Sequence, residues 1–342
     1  MGKTSSVGSR LTPRHYLLAL AVLIILVLPY FVDFREKPFI RGTLIFTFLY
    51  AYLAVSWNML GGYAGQFSFA HAAFFGIGAY VTAILWNWLG ITPWIGMFAG
   101  AAVAAFSSLA IGIPSLRLRG HYFILITIAF SEIMRIWFTN WEAIGAATGI
   151  WYKILLEDSF IDFQYHSIRV PYYYIIFVML LVGVLFTYKL KTSKWGYYFI
   201  AIREDETVAS VSGINVTKYK LLATGISAAF TAIGGAFYAQ YVLYVAPDTV
   251  LTIPLMVRII LPAIIGGIGT VLGPVIGAFL LIPVGEYIRA FFGGVPGVHL
   301  IIYGAVLIVF SIGMPEGIMG VIPRLRFKKS GVKTGFSPES DG

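Results

Sequence analysis

YFIAIREDETVASVSGINV, residues 198–216, sets three consecutive acids, Glu204, Asp205 and Glu206, into a chain of 342 residues of which only 11% are charged. Ionised carboxylates in a row do not sit in hydrocarbon, so this stretch lies in water. Its pattern suits a short surface helix. The acids fall in the first turn and complement the helix dipole, Val208 and Val211 lie three apart on one side, and Gly213 suits a left-handed stop. Long apolar runs precede and follow it. The stretch is therefore a structured surface between membrane spans, and the expected fold is an all-α, polytopic transmembrane helix bundle.

Composition agrees. Apolar residues make up 59% of the chain and aromatic residues 16%, with a mean hydropathy of +0.85, whereas soluble domains carry roughly a quarter charged residues. The absence of cysteine excludes disulfides, thiol catalysis and cysteine-ligated metals. A net charge of +9 would suggest nucleic acid in a soluble protein. In a lipid bilayer it reads instead as the basic bias of cytosolic loops.

Ten apolar segments approach membrane length, near 16–32, 43–60, 67–89, 94–114, 122–140, 171–188, 220–242, 254–268, 275–292 and 299–313. The expectation is about 8–10 spans. The first reads as an uncleaved span, since no small-residue cleavage site follows it. With the N-terminus inside, cytosolic loops hold 15 Lys and Arg against 5 outside. That bias places residues 1–15, the 189–219 loop and a basic, disordered tail at 321–342 in the cytosol, around a transmembrane domain at 16–320.

Two joints carry no charge, Gly61 to Gln66 and Gly266 to Pro274. Each is either a surface turn or the break of a discontinuous helix at membrane depth. The spacing of Gly61 and Gly65, and of Gly269, Gly273 and Gly277, also suits close helix packing. Gln66, Ser68 and His71 follow the first joint, with Ser68 and His71 on one helical face turned into the protein. Together with Gly62 and Gly267 these are the candidates for a substrate path or helix breaks. Glu132 with Arg135, and Glu286 with Arg289, have the spacing of structural ion pairs. Arg258 has no such neighbour.

Nothing in the sequence signals catalysis or a metal centre. Gly2-Lys3-Thr4 lacks the rest of a phosphate-binding loop, and the three acids point in different directions around a helix, as a solvated docking surface would.

NMLGGYAGQFSFAHAAFFGIGAY (58–80), LRLRGHYFILITIAFSEIMR (116–135), AIREDETVASVSGINVTKYKLLA (201–223), GGIGTVLGPVIGAF (266–279) and MPEGIMG (314–320) occur in the order seen in LivM-type permeases, the membrane subunits of branched-chain amino acid ABC importers. The resemblance spans most of residues 43–320. It implies a multi-pass subunit of the prokaryotic inner membrane that is not itself an enzyme, with Arg203 to Gly213, including Glu204, Asp205, Glu206 and Val208, as a coupling helix. It also implies a related second permease subunit, two cytosolic ATPase subunits carrying ATP and Mg, and an extracytoplasmic solute-binding protein. Arg258 stands where relatives commonly have an acid, which leaves urea or short-chain amides open as cargo. An ATP-independent secondary transporter is the more distant alternative.

Overall fold

A computed structural model describes residues 36–115, 121–155, 157–165, 169–292 and 317–320, with isolated positions near 26–29 and 301–308. The expected spans at 16–32 and 299–313, and both termini, lie outside the described residues or almost wholly so. Among the described residues, eight helices are long and apolar enough to cross a membrane.

The first, α1 (Pro38–Asn58), begins with proline at its first turn, where a missing N–H costs nothing. It starts five residues earlier than the apolar run and continues through a π-helical turn, Met59–Tyr63. Its hydroxyls stay inside the helix: Thr47 Oγ1 donates to the Thr43 carbonyl at 2.7 Å and Ser56 Oγ to the Tyr52 carbonyl at 2.9 Å. Then follow α2 (His71–Leu89), α3 (Pro93–Ser115), α4 (His121–Asn140) and α5 (Val170–Thr192). The 141–165 connection is not a bare loop: it holds two 3₁₀ turns and strand β1 (Ile150–Trp151). Two short helices, α6 (Lys194–Glu204) and α7 (Glu206–Val211), lead into α8 (Val216–Val242). Strand β2 (Tyr244–Val245), α9 (Pro247–Val250), α10 (Ile253–Gly266) and α11 (Gly273–Phe292) complete the described chain.

Helices α1 and α8 form the centre. Helix α1 packs against α5, α8, α10 and α11, and α8 against α2 and α3. Lipid supplies no hydrophobic drive for this association, so close backbone approach must hold it. At the α2–α8 crossing a Cβ on Gly78 would lie 2.0 Å from the Ala232 carbonyl oxygen, and one on Gly235 would lie 1.9 Å from that of Phe75. Any side chain there would push the helices apart.

Connections gather at two ends. At one, β1 pairs antiparallel with β2, Ile150 opposite Val245 and Trp151 opposite Tyr244, while Trp86 and Trp94 donate their indole N–H to the carbonyls of Lys153 and Phe160. At the other, the 64–70, 193–215 and 267–272 connections meet around Lys191 and Arg203.

Candidate functional site

The elbow between α6 and α7 departs from the continuous short helix expected over Arg203 to Gly213. Asp205 is extended (φ −157°, ψ 114°) and breaks the chain into two helices. Arg203 and Glu204 close α6, and Asp205 caps α7 with Oδ1 accepting from Thr207 N–H at 2.7 Å and Val208 N–H at 2.9 Å. Only Glu206 occupies the first turn of α7. An Asp side chain satisfies the orphan N–H groups of a helix start best from the capping position, which requires non-helical backbone there. Gly213 is left-handed, as expected (φ 84°). Val208 and Val211 are exposed, the latter by 82%.

The acids are not equivalent. Glu204 pairs with its neighbour Arg203 at 2.9 Å and stays largely exposed. Glu206 is half-buried and engaged within the chain: its Oε1 accepts from Lys220 Nζ on α8, whose side chain is only 3% exposed. A buried ammonium needs an anion beside it, and folding α7 back onto α8 provides Glu206.

Both glycine joints come together beside this elbow. Asn58, fully buried at the end of α1, spans them: its Nδ2 donates to the Thr270 carbonyl at 2.8 Å and its Oδ1 accepts from Gly269 N–H at 2.9 Å. Arg203 Nη1 donates to the Gly62 carbonyl at 2.7 Å. Lys191 Nζ donates to the Gly269 carbonyl at 3.2 Å and lies 5.7 Å from the Tyr63 ring centroid. A Cβ on Gly62 would stand 2.7 Å from Gly269 N, and one on Gly266 would stand 1.7 Å from the Gly273 carbonyl oxygen. The two joints are therefore one polar junction at the α6–α7 end. Gly65 and Gly269 have positive φ, so neither shares a helix face with Gly61 or Gly273; Gly273 and Gly277, one turn apart on α11, both close against α10, at Gly266 and at the Pro262 carbonyl. Gly267 is also left-handed (φ 118°), facing Met319.

Ser68 and His71 do not share a helix face, because α2 begins only at His71. Ser68, in the irregular 64–70 segment, accepts the Trp57 indole N–H through its carbonyl at 2.9 Å. Gln66, half-buried, holds its backbone N–H to the Leu60 carbonyl at 3.3 Å. His71 is fully buried, with Nε2 2.7 Å from Ser227 Oγ. Since Ser227 donates its one hydroxyl proton to the Ser56 carbonyl, His71 Nε2 carries the proton in that contact.

Both expected ion pairs form. Glu132 meets Arg135 at 2.5 Å, and Arg135 reaches Asp248 on α9 at 3.4 Å. Glu286 accepts from Arg289 and, across the helix pair, from Arg258 at 2.8 Å, so Arg258 gains a partner that spacing along one helix could not reveal. Nothing in the sequence singles out Asn58 or Ser227, and Lys191 and Lys220 read there only as basic residues of a cytosolic loop and of a segment edge. The partner of each lies far away in sequence. Among the described residues no cluster of three His, Asp or Glu could hold a metal ion.

A family model described as "Branched-chain amino acid transport system / permease component" matches residues 39–311. The high-affinity branched-chain amino acid transport system permease protein LivM of Escherichia coli (strain K12) is 28% identical over 95% of this chain and 80% of its own length. LivH of Salmonella typhimurium, described in the same terms, is 25% identical over 85% of this chain and 96% of its own. A probable LivM of Methanocaldococcus jannaschii is 23% identical over 79% and 90%. No solved structure matches. The matched stretch takes in the polar junction, the α6–α7 elbow and the arginine–glutamate cluster alike, and the chain belongs to the family of permease components of branched-chain amino acid transport systems.

Proposed function

We propose that this chain is the channel-forming subunit of an ATP-binding cassette importer, moving branched-chain or related amino acids into the cytosol. Two cytosolic ATPase subunits carry ATP and Mg, and one of them docks on the α6–α7 elbow. A second, related permease subunit completes the channel, and an extracytoplasmic solute-binding protein delivers the cargo. The relatives include both LivM and LivH proteins, in keeping with a pair of unlike permeases.

One observation carries the reading. Arg203, the last basic residue before the elbow, holds the Gly62 carbonyl, so a push on α7 reaches the end of α1 through a charge-assisted hydrogen bond rather than through a loose loop. Asn58 passes the displacement on to the 266–273 joint. The elbow and both joints then move as one unit.

The test is the reconstituted complex with Arg203→Met. ATP hydrolysis should persist while leucine uptake falls about tenfold, the worth of one lost charge-assisted contact. Full uptake in this variant would refute the link. A tagged chain that purifies without an ATPase subunit would refute the importer itself.

A further inference from the structure

The 141–165 connection stands at the β1–β2 end, opposite the α6–α7 elbow, and both of its limbs are pinned. Asn87, near the end of α2, donates from Nδ2 to the Trp151 carbonyl at 2.8 Å and accepts the Lys153 N–H at 2.9 Å. Trp86 holds the Lys153 carbonyl, Trp94 the Phe160 carbonyl and Thr92 Oγ1 the Ile161 carbonyl. Gln164, fully buried, ties the limbs together: its Oε1 accepts from Leu155 N–H at 3.0 Å and its Nε2 donates to the Lys153 carbonyl at 2.9 Å. On this fixed backbone Trp151, Ile154, Phe160 and Ile161 are each between 59% and 69% exposed.

Four large apolar side chains held out by one pinned connection mark a surface that a partner covers, and a partner can seat there without first ordering it. The charge pattern selects the partner. In a chain of net charge +9, residues 141–169 carry four acids, Glu142, Glu157, Asp158 and Asp162, against Lys153 and Arg169, and Glu142 and Glu157 are exposed. Asp162 directly follows Ile161, so seating Ile161 in hydrocarbon would draw a carboxylate toward lipid, which is costly. A protein that rings an apolar patch with Lys and Arg meets no such cost. We propose that Trp151, Ile154, Phe160 and Ile161, with the acids beside them, form the docking surface for the extracytoplasmic solute-binding protein, and that the facing surface of that protein is basic around an apolar centre. This rests on the importer assignment above and adds the chemistry of its delivery partner.

The experiment reconstitutes the full transporter in vesicles with the leucine-loaded solute-binding protein that supports its uptake. It reads the concentration of that protein giving half-maximal stimulation of ATP hydrolysis. Ile154→Ser combined with Ile161→Ser keeps the tethered carbonyls. It should raise that concentration about tenfold while ATP hydrolysis without binding protein stays unchanged. Glu157→Lys should raise it too, and by less at high salt. An unchanged concentration in the double variant overturns the proposal, as does a lowered one in Glu157→Lys. Loss of the second permease from the purified double variant also overturns it, since the patch would then lie between permeases. Ile161→Cys carrying a polarity-sensitive dye, with cysteine-free partner subunits, should emit as in water until the binding protein is added and then shift to the blue. Apolar emission beforehand would put the surface in the bilayer and overturn the proposal. Leucine uptake by wild type with no binding protein present would remove the delivery partner from the importer assignment, and this proposal with it. Normal stimulation of wild type with unaffected variants sinks this proposal alone.

Discussion

Asn58 and Lys220 show how single polar side chains organise an apolar bundle. Asn58 satisfies one backbone acceptor and one backbone donor of the 269–270 segment from a fully buried position. Removing it strands both, and a buried backbone group left unpaired costs about 1–3 kcal/mol. Asn58→Ala should therefore lower stability by roughly 2–4 kcal/mol, read as a drop in the melting midpoint of the detergent-purified protein. Lys220 and Glu206 respond unequally, because the lysine side chain is 3% exposed and the glutamate 31%. Glu206→Gln leaves a buried ammonium without its anion and should cost about 3 kcal/mol. Lys220→Met leaves a carboxylate that water can reach, and should cost less. The double variant should recover part of the loss, and a double-mutant cycle on the same midpoints checks it; strictly additive effects would show that the pair is not coupled.

At the scale of elements, the break at Asp205 converts one amphipathic segment into two helices with different tasks. Helix α6 is anchored: Phe199 and Ile202 are buried, and Arg203 reaches Gly62. Helix α7 is held from beneath by Ala209 and Glu206 and offers Val208 and Val211 outward. Exposed valines on a helix fixed at both ends are what a partner's groove can take up without further ordering cost. Val211→Glu should leave the melting midpoint of the isolated chain unchanged, as surface substitutions generally shift stability by less than about 0.5 kcal/mol. Capture of the ATPase subunit by the tagged chain should fall about tenfold. Normal capture would place the docking surface elsewhere.

At the scale of the whole molecule, the two ends gather different connections, and alternation of the eight spans among the described residues keeps them consistent. The native chain has no cysteine, so a single cysteine reports its side without background. Thr207→Cys should react with a membrane-impermeant maleimide only in inverted vesicles, and Trp151→Cys, 69% exposed, only in intact cells. The opposite pattern would invert the assignment of the basic loops to the cytosol. Hydropathy, basic bias and the acidic stretch at 204–206 fixed the class, the spans near 43–292 and the place of the elbow. These depend on what each residue can tolerate as solvent, which is a local property. Spacing along one helix likewise identified Glu132 with Arg135 and Glu286 with Arg289. Tertiary structure alone decided that the joints at 61–66 and 266–274 are a single junction, that Glu206 belongs to Lys220, and that Arg258 shares Glu286. Partners more than ten residues apart meet only when helices pack, and glycine backbones, which carry no side-chain signal, set how closely they do so.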